Sequence, residues 1–205
     1  MKKNFKGLKL RVPLFYNWAY GIRFDLQVGS TTSDDYFEEM TRRATTIFES
    51  AFNTSDDVFL ILRDYKFRRR KIRFSNYAFK QLKNLKKADI GYSKESRVYN
   101  PNDYLDLTNL AIVKTTAGEI NYSNLLMAIG HTDFWPRQPR LDDVGALSCK
   151  EIYFINITKN LIFNMYDDRG IDIIANDLET IRPIFTSHNA WILEYDREQI
   201  EKTFE

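Results

Sequence analysis

Residues 151–175 read EIYFINITKNLIFNMYDDRGIDIIA, and this stretch decides the fold class. It contains three apolar runs, at 151–158, 161–166 and 171–175, each with the length of a β-strand. The two connections between them are short enough for hairpin turns, and Gly170 at the end of the second predicts a positive φ there. The stretch therefore predicts an antiparallel meander of three strands.

A helix is the clearest element upstream of the meander. Apolar residues recur at three- and four-residue spacing from Phe37 to Phe52, which is typical of an amphipathic helix. Ser33, Asp34 or Asp35 can cap its first turn, and acidic residues there suit the helix dipole.

The remaining elements are predicted from shorter patterns. Runs 58–62 and 107–115 predict strands, 122–129 predicts a second helix, and helical turns close the chain. Segment 86–106 lacks a periodic pattern and is interpreted as an exposed loop. This order predicts a single α+β domain over 1–205, with a mixed or mostly antiparallel sheet and flanking helices.

Composition sets further bounds. The 205 residues are 43% hydrophobic and 15% aromatic, which is enough to fill the core of one domain. The longest uninterrupted apolar run, 58–62, is far shorter than the roughly 20 residues of a membrane helix. The single cysteine, Cys149, cannot form an internal disulfide. We expect a cytoplasmic protein with no membrane span.

The charge is unevenly distributed along the chain. Segment 63–87 has eleven Lys and Arg against one acidic residue, whereas 167–205 has ten acidic residues against four basic ones. Segment 25–57 has eight acidic residues and two basic ones. These blocks predict a dipolar surface, which can steer a charged partner.

Several specific strings resemble one bacterial family, the domain of unknown function 3885. They are DDRGIDIIA at 167–175, LETIRPIF at 178–185, WILEYDR at 191–197, PLFYNW at 13–18, GIRF at 21–24 and the basic run at 66–73. The resemblance covers most of the chain and implies no established activity. Small cytosolic bacterial proteins of this kind often neutralise a toxin encoded beside them.

The first hypothesis is accordingly a non-enzymatic cytosolic interaction protein, most concretely an immunity protein or antitoxin that occludes a toxin. An acidic face would cover a basic cleft, and aromatic residues would slow dissociation. The candidate partner-binding residues are Asp167, Asp168, Arg169, Asp172, Asp177, Glu179, Trp135 and Trp191. On this hypothesis Asp168→Lys weakens binding without unfolding the domain.

The second hypothesis is an RNA- or DNA-binding module that uses the basic run. Arginine and lysine pair with phosphates, and the interleaved aromatic residues can stack on unpaired bases. The candidate residues are Lys66, Arg68, Arg69, Arg70, Lys71 and Arg73.

The third hypothesis is a metal-dependent enzyme. Asp167, Asp168 and Asp172 could hold Mg²⁺ or divide acid and base roles. The sequence has no glycine-rich phosphate loop and no zinc-ligand set, so it predicts no cofactor and favours a non-enzymatic protein.

Overall fold

The computed structural model describes residues 5–65, 72–103, 107–142 and 150–205. The strands in this part of the chain are β1 Gly21–Asp25, β2 Asp57–Tyr65, β3 Ile90–Ser96, β4 Leu107–Thr116, β5 Lys150–Asn156, β6 Leu161–Asp167 and β7 Gly170–Ala175. The helices are α1 Asp34–Ala51, α2 Tyr77–Lys80, α3 Tyr122–Gly130, α4 Leu178–Ser187 and α5 Arg197–Phe204.

The seven described strands form one sheet in the order β1-β7-β6-β5-β2-β4-β3. Every pairing between them is antiparallel. Strands β5, β6 and β7 are consecutive neighbours in the sheet and form the predicted meander. The predicted α+β class is therefore confirmed, and its sheet is antiparallel throughout the described strands.

The two hairpin turns of the meander differ in how they work. Asn160, in the turn between β5 and β6, has a positive φ of 55°. Gly170 does not have a positive φ, so that prediction is wrong. A Cβ on Gly170 would instead lie 2.5 Å from the carbonyl oxygen of Phe24 and still closer to the Tyr166 hydroxyl. Glycine is needed at this position because the neighbouring groups leave no room for a side chain.

One face of the sheet is covered by helices. Helix α1 begins as expected, with the Ser33 hydroxyl accepting a hydrogen bond from the backbone N–H of Tyr36 at 3.3 Å. Its apolar side lies in the main core, where the ring of Phe48 meets those of Phe154 and Phe163 edge-on at 5.2 and 5.3 Å. The predicted amphipathic helix is confirmed.

The opposite face is covered by the segment 5–20. Phe5, Leu10 and Leu14 pack there on residues of the central strands such as Tyr153. Strand residues on this face also bring charged side chains into the interior, because side chains alternate between the two faces of a strand.

Strand β3 lies inside the segment that the sequence predicts to be a loop, so the prediction for 86–106 is wrong at Ile90–Ser96. Only Ile90 of this strand is buried, and the strand pairs with β4 alone among the described strands. An exposed edge strand shows no alternation of apolar and polar residues, and this is why the pattern was not recognisable.

Bilayer-spanning helices are not found in the described residues, since none of their helices is both long and apolar enough.

Candidate binding surfaces

The hairpin between β6 and β7 does not present an acidic face. Asp167 and Asp168 are buried, and only Arg169 is exposed. The Asp167 carboxylate accepts hydrogen bonds from the backbone N–H and the guanidinium of Arg169, the former at 2.8 Å. The Asp168 carboxylate accepts one at 2.5 Å from the hydroxyl of Tyr36, a buried residue of α1. The prediction of an exposed acidic face is wrong for both aspartates, because both are buried and their carboxylates accept hydrogen bonds from other residues of the protein.

Asp172 is fully buried on the sheet face that segment 5–20 covers. One carboxylate oxygen lies 3.2 Å from the Nε of Arg23, and the other accepts the Phe15 backbone N–H at 3.0 Å. Asp196 also reaches Arg23, at 3.3 Å, and accepts a 2.7 Å hydrogen bond from the Tyr16 hydroxyl. Burial raises the pKa of Asp172 to about 6, although both of its partners favour the charged form. Asp172 is therefore part of an internal polar network and not of a binding surface.

The three aspartates of the metal-site hypothesis do not converge. Asp168 faces α1 and Asp172 faces segment 5–20 on the other side of the sheet. Across the residues that the structure describes, no group of three or more His, Cys, Asp and Glu side chains could hold a metal ion. Asp167, Asp168 and Asp172 thus do not provide the ligand set that metal catalysis needs.

Asp177 and Glu179 are exposed but lie at the far end of β7, about 20 Å from the hairpin by strand length. Asp177 caps α4 by accepting a hydrogen bond from the Thr180 backbone N–H at 2.9 Å. Glu179 forms a 2.9 Å ion pair with Arg182. These two acids belong to a helix start, so the single acidic face predicted from the sequence is not formed.

Trp191 is half-buried. Its ring stacks on His188 with centroids 5.1 Å apart, and the guanidinium groups of Arg42 and Arg43 lie 5.3 and 5.2 Å from it. It acts as a packing residue between α1 and the chain after α4.

Trp135 is the predicted partner-binding residue that is most clearly available, with 64% of its surface exposed. Its loop is fixed on both sides. Phe134 packs edge-on against Phe37 of α1 at 4.8 Å, and the guanidinium of Arg137 lies 3.8 Å from the same ring. Arg137 also forms a 2.8 Å ion pair with Asp34. An exposed tryptophan is thus held on a rigid support.

Acidic residues lie on two sides of this loop. Asp34 and Glu38 line one concavity with Arg137, and Asp133 lines another with Asp167 and Arg169, which places the loop beside the β6–β7 hairpin. Glu38 and Asp133 are exposed and form no ion pair within the described residues. Partial burial and the nearby Asp167 raise the pKa of Asp133, and the charges of Arg169 and Arg140 oppose this rise. The term Trp135 surface is used below for Asp34, Glu38, Asp133, Trp135 and Arg169. The sequence analysis did not identify Asp34, Glu38 or Asp133 as binding residues, because they come from segments about 100 residues apart. It considered Asp34 only as a helix cap.

Of the candidate residues in the basic run, the structure describes Arg73. The candidate residues Lys66, Arg68, Arg69, Arg70 and Lys71 lie outside the described residues, as does Cys149. Arg73 is described and exposed, and it lines a concavity of about 550 Å³ beside strands β3 and β4. We call this region the β3–β4 corner and define it as Arg73, Phe74, Lys87, Tyr92 and Lys94.

A second concavity, of about 490 Å³, opens on the sheet face that segment 5–20 covers. Apart from Asp133, its charged lining groups are engaged within the protein: Arg23 pairs with Asp172, and Glu151 accepts hydrogen bonds from Tyr153 and Tyr99 at 2.6 and 2.7 Å. Groups that already satisfy one another are poorly placed to recognise a ligand, so only the edge of this concavity at Asp133 and Arg169 belongs to the Trp135 surface.

The fold and these surfaces define an α+β protein with an antiparallel sheet, whose charged motifs stabilise its interior and whose exposed aromatic residues include those of the Trp135 surface and the β3–β4 corner. The family model described as Domain of unknown function (DUF3885) matches residues 1–196, so the chain belongs to this family, as the sequence resemblance predicted. It is 26% identical over 208 residues to Uncharacterized protein YnaE of Bacillus subtilis (strain 168), across 95% of this chain and 96% of that protein. No solved structure matches the chain.

Proposed function

We propose that this protein is a non-enzymatic cytosolic interaction protein that serves as an immunity protein or antitoxin and occludes a basic cleft of its toxin with the Trp135 surface. The observation that carries the proposal is the 64% exposure of Trp135 on a loop whose residues Phe134 and Arg137 pack on α1. Tryptophan is strongly enriched among the residues that dominate protein–protein binding energy, and a side chain of this size is costly to leave in water.

The support of the loop favours a protein partner. Arg137 joins the loop to α1 through both Phe37 and Asp34, and Phe134 packs on Phe37. A binding loop that is ordered in the free protein loses little conformational entropy on association. Trp135 can therefore enter a pocket of the partner as a preformed anchor and slow dissociation.

The charge around Trp135 indicates the chemistry of the partner. Glu38 and Asp133 carry negative charge that no ion pair in the described residues offsets. Such carboxylates at the rim of an interface accelerate association with a basic surface and add little to the lifetime of the complex. If the surface occludes a basic cleft, the two carboxylates should speed association and Trp135 should slow dissociation.

The test begins with capture of the partner from the native host by tagged wild-type protein. The binding variants are Trp135→Ala and the charge reversal Glu38→Lys/Asp133→Lys. Their matched controls are Tyr195→Ala, which removes an aromatic residue that is 87% exposed near the C-terminus, and Glu198→Lys/Glu201→Lys on α5. We expect Trp135→Ala to raise the dissociation rate, the first charge reversal to lower the association rate, and both controls to bind like wild type.

The immunity role needs a second measurement. The captured protein, expressed alone, should arrest growth, and co-expression with wild type but not with Trp135→Ala should restore it. A harmless captured protein would refute the immunity role. Equal losses for Trp135→Ala and Tyr195→Ala would refute the assignment of the surface.

A further inference from the structure

The β3–β4 corner is a part of the sheet that the helices leave uncovered. Strand residues two apart lie on the same face, so Tyr92 and Lys94 follow Ile90 on the face that α1 and α3 cover elsewhere. Ile90 is buried under this layer, whereas Tyr92 is 48% exposed. The helical layer thus ends between these two residues, and a concavity of about 550 Å³ remains beyond it.

Three cations of this corner have no acidic partner among the described residues. Arg73, Lys87 and Lys94 line the concavity and form no ion pair in the part of the chain that the structure describes. Some other surface arginines are paired, as in the ion pairs of Arg42 with Glu39 and of Arg182 with Glu179. Positive charge that the described residues do not neutralise is available to an anionic ligand.

Two aromatic rings share the concavity with these cations. Phe74 is 42% exposed and is supported from behind by Phe79, with ring centroids 6.4 Å apart. Tyr92 stands on the edge strand opposite Ala111, whose small side chain leaves the ring uncovered. The corner therefore combines exposed ring faces with positive charge within one concave surface.

We infer that the β3–β4 corner binds single-stranded nucleic acid, with Phe74 and Tyr92 stacking on bases and Arg73, Lys87 and Lys94 contacting phosphates. A single strand offers both partners at once, because its bases expose their faces and each is linked to a negative phosphate. A duplex hides its base faces, and an acidic peptide offers charge without rings to stack on. Single-stranded nucleic acid is therefore the ligand class that uses every exposed group of the corner.

The site is independent of the proposed function. The corner lies at the β3 edge of the sheet, about 24 Å from β7 when strand spacings are counted, whereas the Trp135 surface lies beside the β6–β7 hairpin. The two surfaces carry opposite charge, so their variants are separable in the same full-length protein.

The experiment measures fluorescence anisotropy of labelled 12-nucleotide oligo(U) and oligo(dT), with a 12-base-pair duplex for comparison, over a range of salt concentrations. The first variant, Phe74→Leu/Tyr92→Leu, keeps an apolar surface but removes both rings. The second, Arg73→Ala/Lys87→Ala/Lys94→Ala, removes the three cations. Its matched control is Lys6→Ala/Lys9→Ala/Arg11→Ala, which removes the same charge from exposed positions outside the corner that also form no ion pair among the described residues.

Wild type should bind single strands more tightly than the duplex. The ring variant should lose about 5- to 100-fold in affinity per ring while it keeps the salt dependence. The triple cation variant should lower the slope of log K against log salt by about 2, since each phosphate contact on a single strand contributes about 0.7. A preference for oligo(U) over oligo(dT) would assign RNA as the natural strand, and the reverse would assign DNA.

Three results would overturn the inference. They are tighter binding of the duplex, equal losses in the matched control and the cation variant, and full affinity in the ring variant. Binding of poly-glutamate without binding of either oligonucleotide would also overturn it and would assign the corner to an acidic protein.

Discussion

Tyr36→Phe tests whether Asp168 belongs to the interior of the protein or to its binding surface. The substitution removes one hydroxyl and leaves the shape of a buried side chain unchanged, so no cavity forms. The lost hydrogen bond is a short one, 2.5 Å, to a buried carboxylate. Hydrogen bonds to charged groups contribute about 1.5–3 kcal/mol, and a buried acceptor without its donor adds a desolvation cost. We therefore expect the free energy of unfolding to fall by about 2–3 kcal/mol.

Urea unfolding at pH 7 measures this change, with an unchanged dependence on urea as evidence that the variant still unfolds in one step. Tyr122→Phe is the matched control, because its hydroxyl donates a 2.8 Å hydrogen bond to an exposed carboxylate, that of Glu49. Water can replace that donor, so the control should lose at most about 0.5 kcal/mol.

The pH dependence gives a second check on the same hydrogen bond. Burial raises the pKa of Asp168, and the Tyr36 hydroxyl opposes this rise. Without the hydroxyl the pKa rises further, so the cost of Tyr36→Phe should shrink as the pH falls and the carboxyl becomes protonated. A loss at pH 7 no larger than that of the Tyr122→Phe control would refute an internal role for Asp168 and favour its place on a surface.

Two further predictions concern the same part of the fold. The pKa of Asp172 is raised to about 6 from 3.8, so its carboxyl stabilises the fold when protonated and this contribution is lost as the pH rises through about 6. Wild type should therefore lose up to about 3 kcal/mol of its free energy of unfolding between pH 4 and pH 7, and Asp172→Asn should not show this loss. Urea unfolding of both proteins at the two pH values measures the difference, and parallel pH profiles would contradict the assignment. Gly170→Ala should destabilise by about 2–3 kcal/mol, because its Cβ would lie 2.5 Å from the Phe24 carbonyl oxygen. Gly91→Ala is the control, because its added Cβ would lie 3.6 Å from its nearest neighbour, and its free energy of unfolding should stay within about 0.5 kcal/mol of wild type. Equal effects of Gly170→Ala and Gly91→Ala would show that the surroundings of Gly170 can move to accept a side chain.

The elements that could be predicted from the sequence are those whose burial leaves a local pattern of apolar residues. Helix α1 buries every third to fourth residue, and the meander strands are buried almost throughout and therefore appear as continuous apolar runs. Strand β3 buries only Ile90, so its residues carry no such order. An edge strand is specified by the neighbour it pairs with, in this case β4, and a local pattern does not show that pairing.

The candidate site was harder to predict because a charged string looks exposed in a sequence. Asp168 finds its partner Tyr36 132 residues away, and Asp172 finds the Phe15 backbone N–H at a separation of 157 residues. The residues next to Asp168 and Asp172 in the sequence do not indicate these partners. Trp135 is exposed, as a partner-binding candidate must be, but its acidic neighbours could be recognised only once the fold brought α1 and the loop together.

The strings that place this chain in its family have a common structural property. Asp168 joins the hairpin to α1, Asp172 joins β7 to segment 5–20, and Asp196 joins the C-terminal part to β1 through Arg23. All three bonds hold together parts of the chain that are distant in sequence, and replacing one partner of such a buried pair is strongly destabilising. These strings therefore specify how the sheet and its covering layers assemble.

The exposed residues obey a different constraint. Trp135, Phe74 and Tyr92 are each more than two-fifths exposed, and substitutions at such positions usually change stability by no more than about 0.5 kcal/mol. Exposure alone does not mark a binding residue, because Tyr195 is 87% exposed. Phe74 and Tyr92 differ from it because they share a concavity with cations that form no ion pair among the described residues, and Trp135 differs because its loop packs on α1. The acidic motif that is most conspicuous in the sequence therefore serves assembly of the fold, and we propose that recognition uses the aromatic residues that the fold leaves in solvent.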